Sequence, residues 1–173
     1  MVPVKLLILG AQNTGKTALC VRFITKRFIG EYDHKTEVTY RCSRTVDQET
    51  VDLEILDLPC KRSSFLEIPR LKTLIDKTKQ SLVFPTVLVA NKADLEVGRK
   101  VTTEEGQRLA KDLGCGFREL SVAEAVLSVE AVIFQLIRLT LDQQRPLPDR
   151  RSYMLTVRHA LTRKLTRSKT MQW

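Results

Sequence analysis

The run Gly10-Ala11-Gln12-Asn13-Thr14-Gly15-Lys16-Thr17 constrains this chain more than any other feature. It satisfies G-x-x-x-x-G-K-[ST] at every fixed position, and each residue type has a physical reason. The two glycines let the backbone turn so that successive N–H groups converge on phosphate oxygens. The Lys16 ammonium neutralises the outer phosphates, and the Thr17 hydroxyl is a hard oxygen of the kind Mg²⁺ takes. A match this restrictive arises by chance in roughly one chain in a hundred of this length. Its context raises the odds. The apolar run Val4 to Leu9 reads as a buried strand entering the loop, and Leu19, Cys20, Phe23, Ile24 and Phe28 give residues 16–28 a helical period. The helix would present its N-terminal dipole to the same anion.

The remaining chain continues the alternation. Tyr40 to Val46 and Val51 to Leu58 read as strands joined by the polar turn Asp47-Gln48-Glu49-Thr50. Apolar positions 65, 68, 71, 74 and 75 predict a helix over 65–80, and Val87 to Ala90 a second buried strand. Thr102-Thr103-Glu104-Glu105 is a helix start for 103–113, stopped by Gly114. Phe117 to Leu120 reads as a strand and 124–143 as a long apolar helix. Strands alternating with helices predict an α/β fold, a mostly parallel sheet with helices on both faces.

Charge separates a body from a tail. Of the net +9, seven basic residues and no acid lie in 150–173, which leaves residues 1–149 at only +2. Pro146 and Pro148 mark the boundary, giving a domain over 1–145 and a tail over 146–173 with a short amphipathic basic helix. Such a tail is of the kind that attracts anionic membrane or acidic partners, or that merely stays solvated. It holds no cysteine, so no prenyl anchor is expected. Cys20, Cys42, Cys60 and Cys115 form no CxxC pair and read as core residues of a reduced, cytoplasmic protein.

A phosphate loop does not name a base, but Asn91-Lys92-Ala93-Asp94, at the end of the strand 87–90, narrows the choice. A carboxylate at Asp94 accepts two hydrogen bonds from the N1–H and exocyclic amine of guanine. Adenine offers no donors there, which would leave the carboxylate desolvated and unpaired. An ATP-using enzyme is therefore disfavoured.

With these motifs the chain resembles the Ras-type small GTPases from Val4 to about Leu139. The run Val21 to Ile29, together with Asn91 to Leu95, is similar to the group of the Ras-related and estrogen-regulated growth inhibitor. The resemblance implies a P-loop NTPase fold: a six-stranded sheet of order 2-3-1-4-5-6 that binds GTP or GDP with Mg²⁺ at the strand ends. It implies a monomeric signalling protein with effector and regulator partners. Carried over, Gly10, Gln12, Asn13, Thr14, Gly15, Lys16 and Thr17 match the phosphate loop, and Asn91, Lys92 and Asp94 the guanine motif. Ser121, Val122 and Ala123 stand where the family has Ser-Ala-Lys beside the base. Thr17, with Asp57 acting indirectly, matches the Mg²⁺ site.

The departures matter as much. Gln12 and Asn13 replace glycines of many relatives, and a side chain at position 12 crowds the γ-phosphate. In Tyr32-Asp33-His34-Lys35-Thr36-Glu37, Lys35 occupies the place of the family's Mg²⁺-closing Thr, and Thr36 comes one position late. The family's Asp-x-x-Gly is Asp57-Leu58-Pro59-Cys60, and Lys61 onward already resembles the family's third helix. Asp57 and Asn91 are 34 positions apart where the family needs about two dozen more. The segment lost would contain the second switch, its catalytic Gln, the second helix and the fourth strand, so no catalytic residue is assigned.

Such a chain is connectable, because residues 58–63 can span up to roughly 20 Å and the lost strand leaves a join of roughly 10 Å. The sheet centre then has two outcomes. Either a slot of unpaired backbone remains, at about 1–3 kcal/mol per buried group, or the strand 87–90 slides inward by roughly 4.8 Å. Sliding would pull Asn91 and Asp94 out of register with the phosphate loop and weaken nucleotide binding. Two function classes remain: a GTP-binding switch with impaired hydrolysis, and a non-hydrolysing interaction protein, such as a splice form of an intact GTPase.

Overall fold

The computed structural model describes residues 3–32, 36–58, 65–78 and 84–144. The loop positions 33–35, the joint 59–64 and the whole of 146–173 lie outside them, and with them the readings of Lys35, Cys60 and the basic tail. Among the described residues nine elements follow one another: β1 Val4–Ile8, α1 Lys16–Thr25, β2 Val38–Val46, β3 Glu49–Asp57, α2 Ile68–Thr78, β4 Val87–Ala90, α3 Thr103–Asp112, β5 Gly116–Glu119 and α4 Val126–Gln144. Chain contacts divide the protein at Leu141/Asp142, and the first unit carries the five described strands.

The hairpin β2–β3 is tighter than its sequence suggests. Asp47 and Gln48 both take positive φ (50° and 70°), the two-residue turn whose twist suits antiparallel strands, so pairing begins already at Val46↔Glu49. β3 then pairs in parallel with β1, from Val4↔Leu53 to Ile8↔Asp57. α1 stops at Thr25, three residues short of its apolar pattern. Lys26 turns into the left-handed region (φ 64°) and returns its N–H to Arg22. Arg44 of β2 covers that end, donating to the Phe23 and Ile24 carbonyls at 3.4 and 3.0 Å, a favourable place for a cation. α3 begins with a full capping box between Thr102 and Glu105.

One core holds these pieces together. Val4 and Leu6 of β1, with Val51, Leu53 and Ile55 of β3, meet Leu19, Cys20 and Phe23 of α1 and Val129, Val132, Ile133 and Ile137 of α4. Phe23 is fully buried, edge-on to Phe134 at 6.0 Å between ring centroids. Among the described side chains of α2 none is fully buried, and Leu74 is exposed. No helix among the described residues is long and apolar enough to cross a membrane.

The strands fall into two sheets, of order β1-β3-β2 and β4-β5. β4 pairs in parallel with β5 from Val87↔Gly116 to Ala90↔Glu119, and nothing hydrogen-bonds β1 to β4 among the described residues. The expected continuous sheet is divided at the place of the missing strand. On the second face of β1, Lys5 and Leu7 are exposed, Leu7 by 49%. Of the two outcomes open to such a chain, the structure takes the slot.

Candidate functional site

The loop between β1 and α1 is shaped by its own sequence. Gly10 (φ 152°) and Gly15 (φ 89°) occupy conformations closed to most side chains, and Asn13 (φ 63°) joins them. Inside the loop, the Thr14 hydroxyl and the Lys16 ammonium both donate to the Ala11 carbonyl, at 2.8 and 2.7 Å. Lys16 is thereby folded across the loop with N–H donors to spare. α1 opens from Gly15 without a side-chain cap and with no acid in its first turn, so its leading amides remain for an anion. Gln12 and Asn13 are exposed at the loop's rim.

Two other strand ends converge on this loop. Asp57, the last residue of β3, is buried at 4% exposure and accepts from the Thr17 hydroxyl at 2.5 Å. The pair is a compact set of hard oxygens, the donor type that Mg²⁺ takes alongside phosphate oxygens, and so the residues fit that ion. The Asp57 charge also acts on Cys20 behind it. Burial, and secondarily Asp57, pushes the Cys20 thiol up to about 12, so it stays protonated and inert. Burial raises the half-buried thiols of Cys42 and Cys115 as well.

From the other side comes Asn91, directly after β4. Its side-chain amide donates to the Thr14 carbonyl at 3.0 Å, and its Oδ1 accepts from the Val122 N–H at 3.1 Å. One side chain thus joins the phosphate loop, the end of β4 and the loop after β5. Gly15 makes room for it, since a Cβ there would lie 2.2 Å from the Asn91 Nδ2. The Ala93 N–H donates to the Leu120 carbonyl at 3.1 Å, and Lys92 turns through φ 65°, leaving Lys92 and Asp94 exposed beyond. Ser121 is buried and accepts from the Glu124 N–H at 3.3 Å, starting the turn into α4, while Ala123 is exposed.

The residues read as phosphate-binding and guanine-side are therefore adjacent, although two sheets carry them. Thr36 is exposed, and among the described residues no hydrogen bond joins it to Thr17 or Asp57. The bracing role of Asn91 and the acceptor role of the Ala11 carbonyl were not legible in the sequence. The first depends on a contact across 77 positions, and the second belongs to the main chain.

Comparison with known proteins meets this geometry. The sequence profile of the Ras family matches residues 5–59 and 60–142. The chain belongs to the Ras family. It is 37% identical to the human "Ras-related and estrogen-regulated growth inhibitor" over 191 aligned positions, covering 95% of this chain and 96% of that protein. The bovine protein of the same description matches equally, and the "Ras-like protein RAS2" of Hydra vulgaris is 33% identical over 159 positions, 78% of this chain and 82% of its own. The 95% is about 164 of 173 residues, so about 27 of the 191 aligned positions have no residue here. The family match itself breaks between Pro59 and Cys60. This Ras-family chain is a small GTPase of the signalling type, shorter than its human relative by about those 27 positions, and Ras-family proteins bind GTP and GDP.

Proposed function

We propose that this chain binds GDP and GTP, with Mg²⁺, across the loops at 10–17, 91–94 and 121–123, and that it turns the nucleotide over and switches poorly. The observation that carries the reading is the Asn91 brace. It keeps the guanine-side loops in register with the phosphate loop although β1 and β4 are unpaired. The sliding that would have weakened binding is not taken, so the affinity expected is higher than the missing strand alone suggests.

Within the site, Lys16 and the N-terminus of α1 would hold phosphate, Asp94 the donor edge of guanine, and Thr17 with Asp57 the Mg²⁺. The ion would supply charge neutralisation between phosphate oxygens. Poor turnover is supported by what the chain lacks. Cys60 replaces the glycine whose amide meets the γ-phosphate, Lys35 replaces the Mg²⁺-closing Thr, and the segment with the family's Gln falls within the missing positions. Gln12 adds bulk at the rim of the phosphate loop. The basic tail over 151–169 supports a further, separate attraction to acidic surfaces.

Retention on GTP-agarose tests the binding half. Elution by GDP and GTP but not ATP is expected, because Asp94 selects donors that adenine lacks. Equal elution by ATP would remove the guanine assignment.

A further inference from the structure

Among the described residues β1 and β4 are each paired on one side only. The Ile8 carbonyl accepts from the Leu58 N–H at 3.3 Å, so Val4, Leu6 and Ile8 direct their main-chain groups towards β3. By alternation, Lys5 and Leu7 direct theirs away. On β4, the Thr86 and Ala90 carbonyls accept from the Gly116 and Leu120 N–H groups at 3.0 Å each, and so Val87 and Val89 face away from β5. Among the described residues no strand takes up either set. The two edges belong to one core, since Val4 and Leu6 lie in it and Val87 and Val89 pack against it. Their C-terminal ends also meet. β1 leads into the phosphate loop, β4 leads into Asn91, and the Asn91–Thr14 hydrogen bond ties those two ends together.

We propose that these edges form a strand-acceptor site that takes one extended segment of a partner polypeptide, laid parallel to β1 and β4. Such a segment would satisfy Lys5 and Leu7 on one side and Val87 and Val89 on the other, the mode of recognition known as strand addition. Its inward side chains must be apolar, because their neighbours are Leu6, Val87 and Val89. Its outward side chains lie beside the half-exposed Leu7 and the Lys5–Glu54 ion pair, so they are mixed.

Two observations select this occupant. The family match breaks at Pro59/Cys60, directly after β3, and about 27 aligned positions of the human relative have no residue here, so the two unpaired edges lie where the family resemblance implies a strand that this chain does not supply. A second copy is a poor donor. A strand in the slot needs both edges free, and every described strand already pairs along at least one. The occupant is therefore an extended peptide outside a folded sheet.

The test uses the full chain and a fluorescent synthetic peptide with the sequence that the human relative carries opposite the Pro59–Cys60 joint. A scrambled peptide and one N-methylated at alternate residues serve as controls. Saturable binding is expected, with amide exchange at Lys5, Leu7, Val87 and Val89 slowed about tenfold or more, and affinity about tenfold or more weaker for the N-methylated peptide. The proposal is overturned by no binding, by equal binding of either control, or by binding that leaves those four amides unprotected. Protection already present in dilute chain without peptide would assign the slot to the chain itself. Protection that appears only as the chain self-associates would assign it to a second copy. Either result overturns the proposal. GDP binding measured on the same sample keeps this result separate from the nucleotide reading.

Discussion

Replacing Asn91 by alanine removes the only side chain among the described residues that joins the phosphate loop to both guanine-side loops. Two hydrogen bonds go, to the Thr14 carbonyl at 3.0 Å and from the Val122 N–H at 3.1 Å. The bond to Thr14 is worth about 1 kcal/mol net, whereas Val122 is only 2% exposed, and a buried amide left without an acceptor costs about 1–3 kcal/mol. The expected loss is about 2–4 kcal/mol. At roughly 3 °C per kcal/mol for a domain of this size, the melting midpoint should fall by roughly 10 °C. Thermal and urea unfolding give the size of the loss, and amide exchange gives its place. The Val122 amide should exchange slowly in the parent, fast in Asn91→Ala, and slowly again in Asn91→Asp, which keeps the acceptor oxygen. A loss under about 0.5 kcal/mol, a surface-sized effect, with Val122 still protected, would refute the bracing role.

Other changes probe the same frame. Gly15→Ala places a Cβ 2.2 Å from the Asn91 Nδ2 at φ 89°, which should cost about 1–3 kcal/mol. Combined with Asn91→Ala the two losses should add to less than their sum, as a double-mutant cycle will read. The Glu119 carboxyl is held below its ordinary 4.5, first by the Thr103 hydroxyl at 2.5 Å and then by the Arg99 guanidinium. A carboxyl with a depressed folded value stabilises fully above 4.5 and loses that contribution as pH falls through the folded value. Urea midpoints should therefore drop on the acid side of 4.5, and Glu119→Gln should flatten that limb. Arg138 holds Asp47 through two bonds of 2.7 and 2.8 Å, yet both side chains are largely exposed. Arg138→Ala should consequently cost less than about 1 kcal/mol in the same unfolding assay.

The phosphate loop was legible because Gly10, Gly15, Lys16 and Thr17 each satisfy a separate steric or chemical demand that few other residues meet. Thr102 and Glu105 announced α3 for the same reason, since a capping box is written in two side chains four positions apart or fewer. Boundaries set by the backbone were less legible. Nothing about Lys26 or the pair Asp47-Gln48 requires positive φ, and so α1 ended early and the hairpin closed tighter than the pattern suggested. The gap after Asp57 could be counted along the chain, but its structural outcome could not. Whether β4 slides or stays depends on contacts far apart in sequence, above all Asn91 with Thr14 and Val122, and on α4, whose Val129 to Ile137 face supports both sheets.

The claim that two halves of a nucleotide site survive the loss of the strand between them is tested most directly by titrating the purified chain with fluorescent GDP and following single-turnover phosphate release from GTP. The account predicts saturable binding at about 1 µM or tighter, displaced by GDP and GTP but not ATP, with phosphate release no faster than from GTP in buffer. Absence of binding in a folded sample would contradict the retained register, and turnover at the rate of an intact relative would contradict the loss of catalysis.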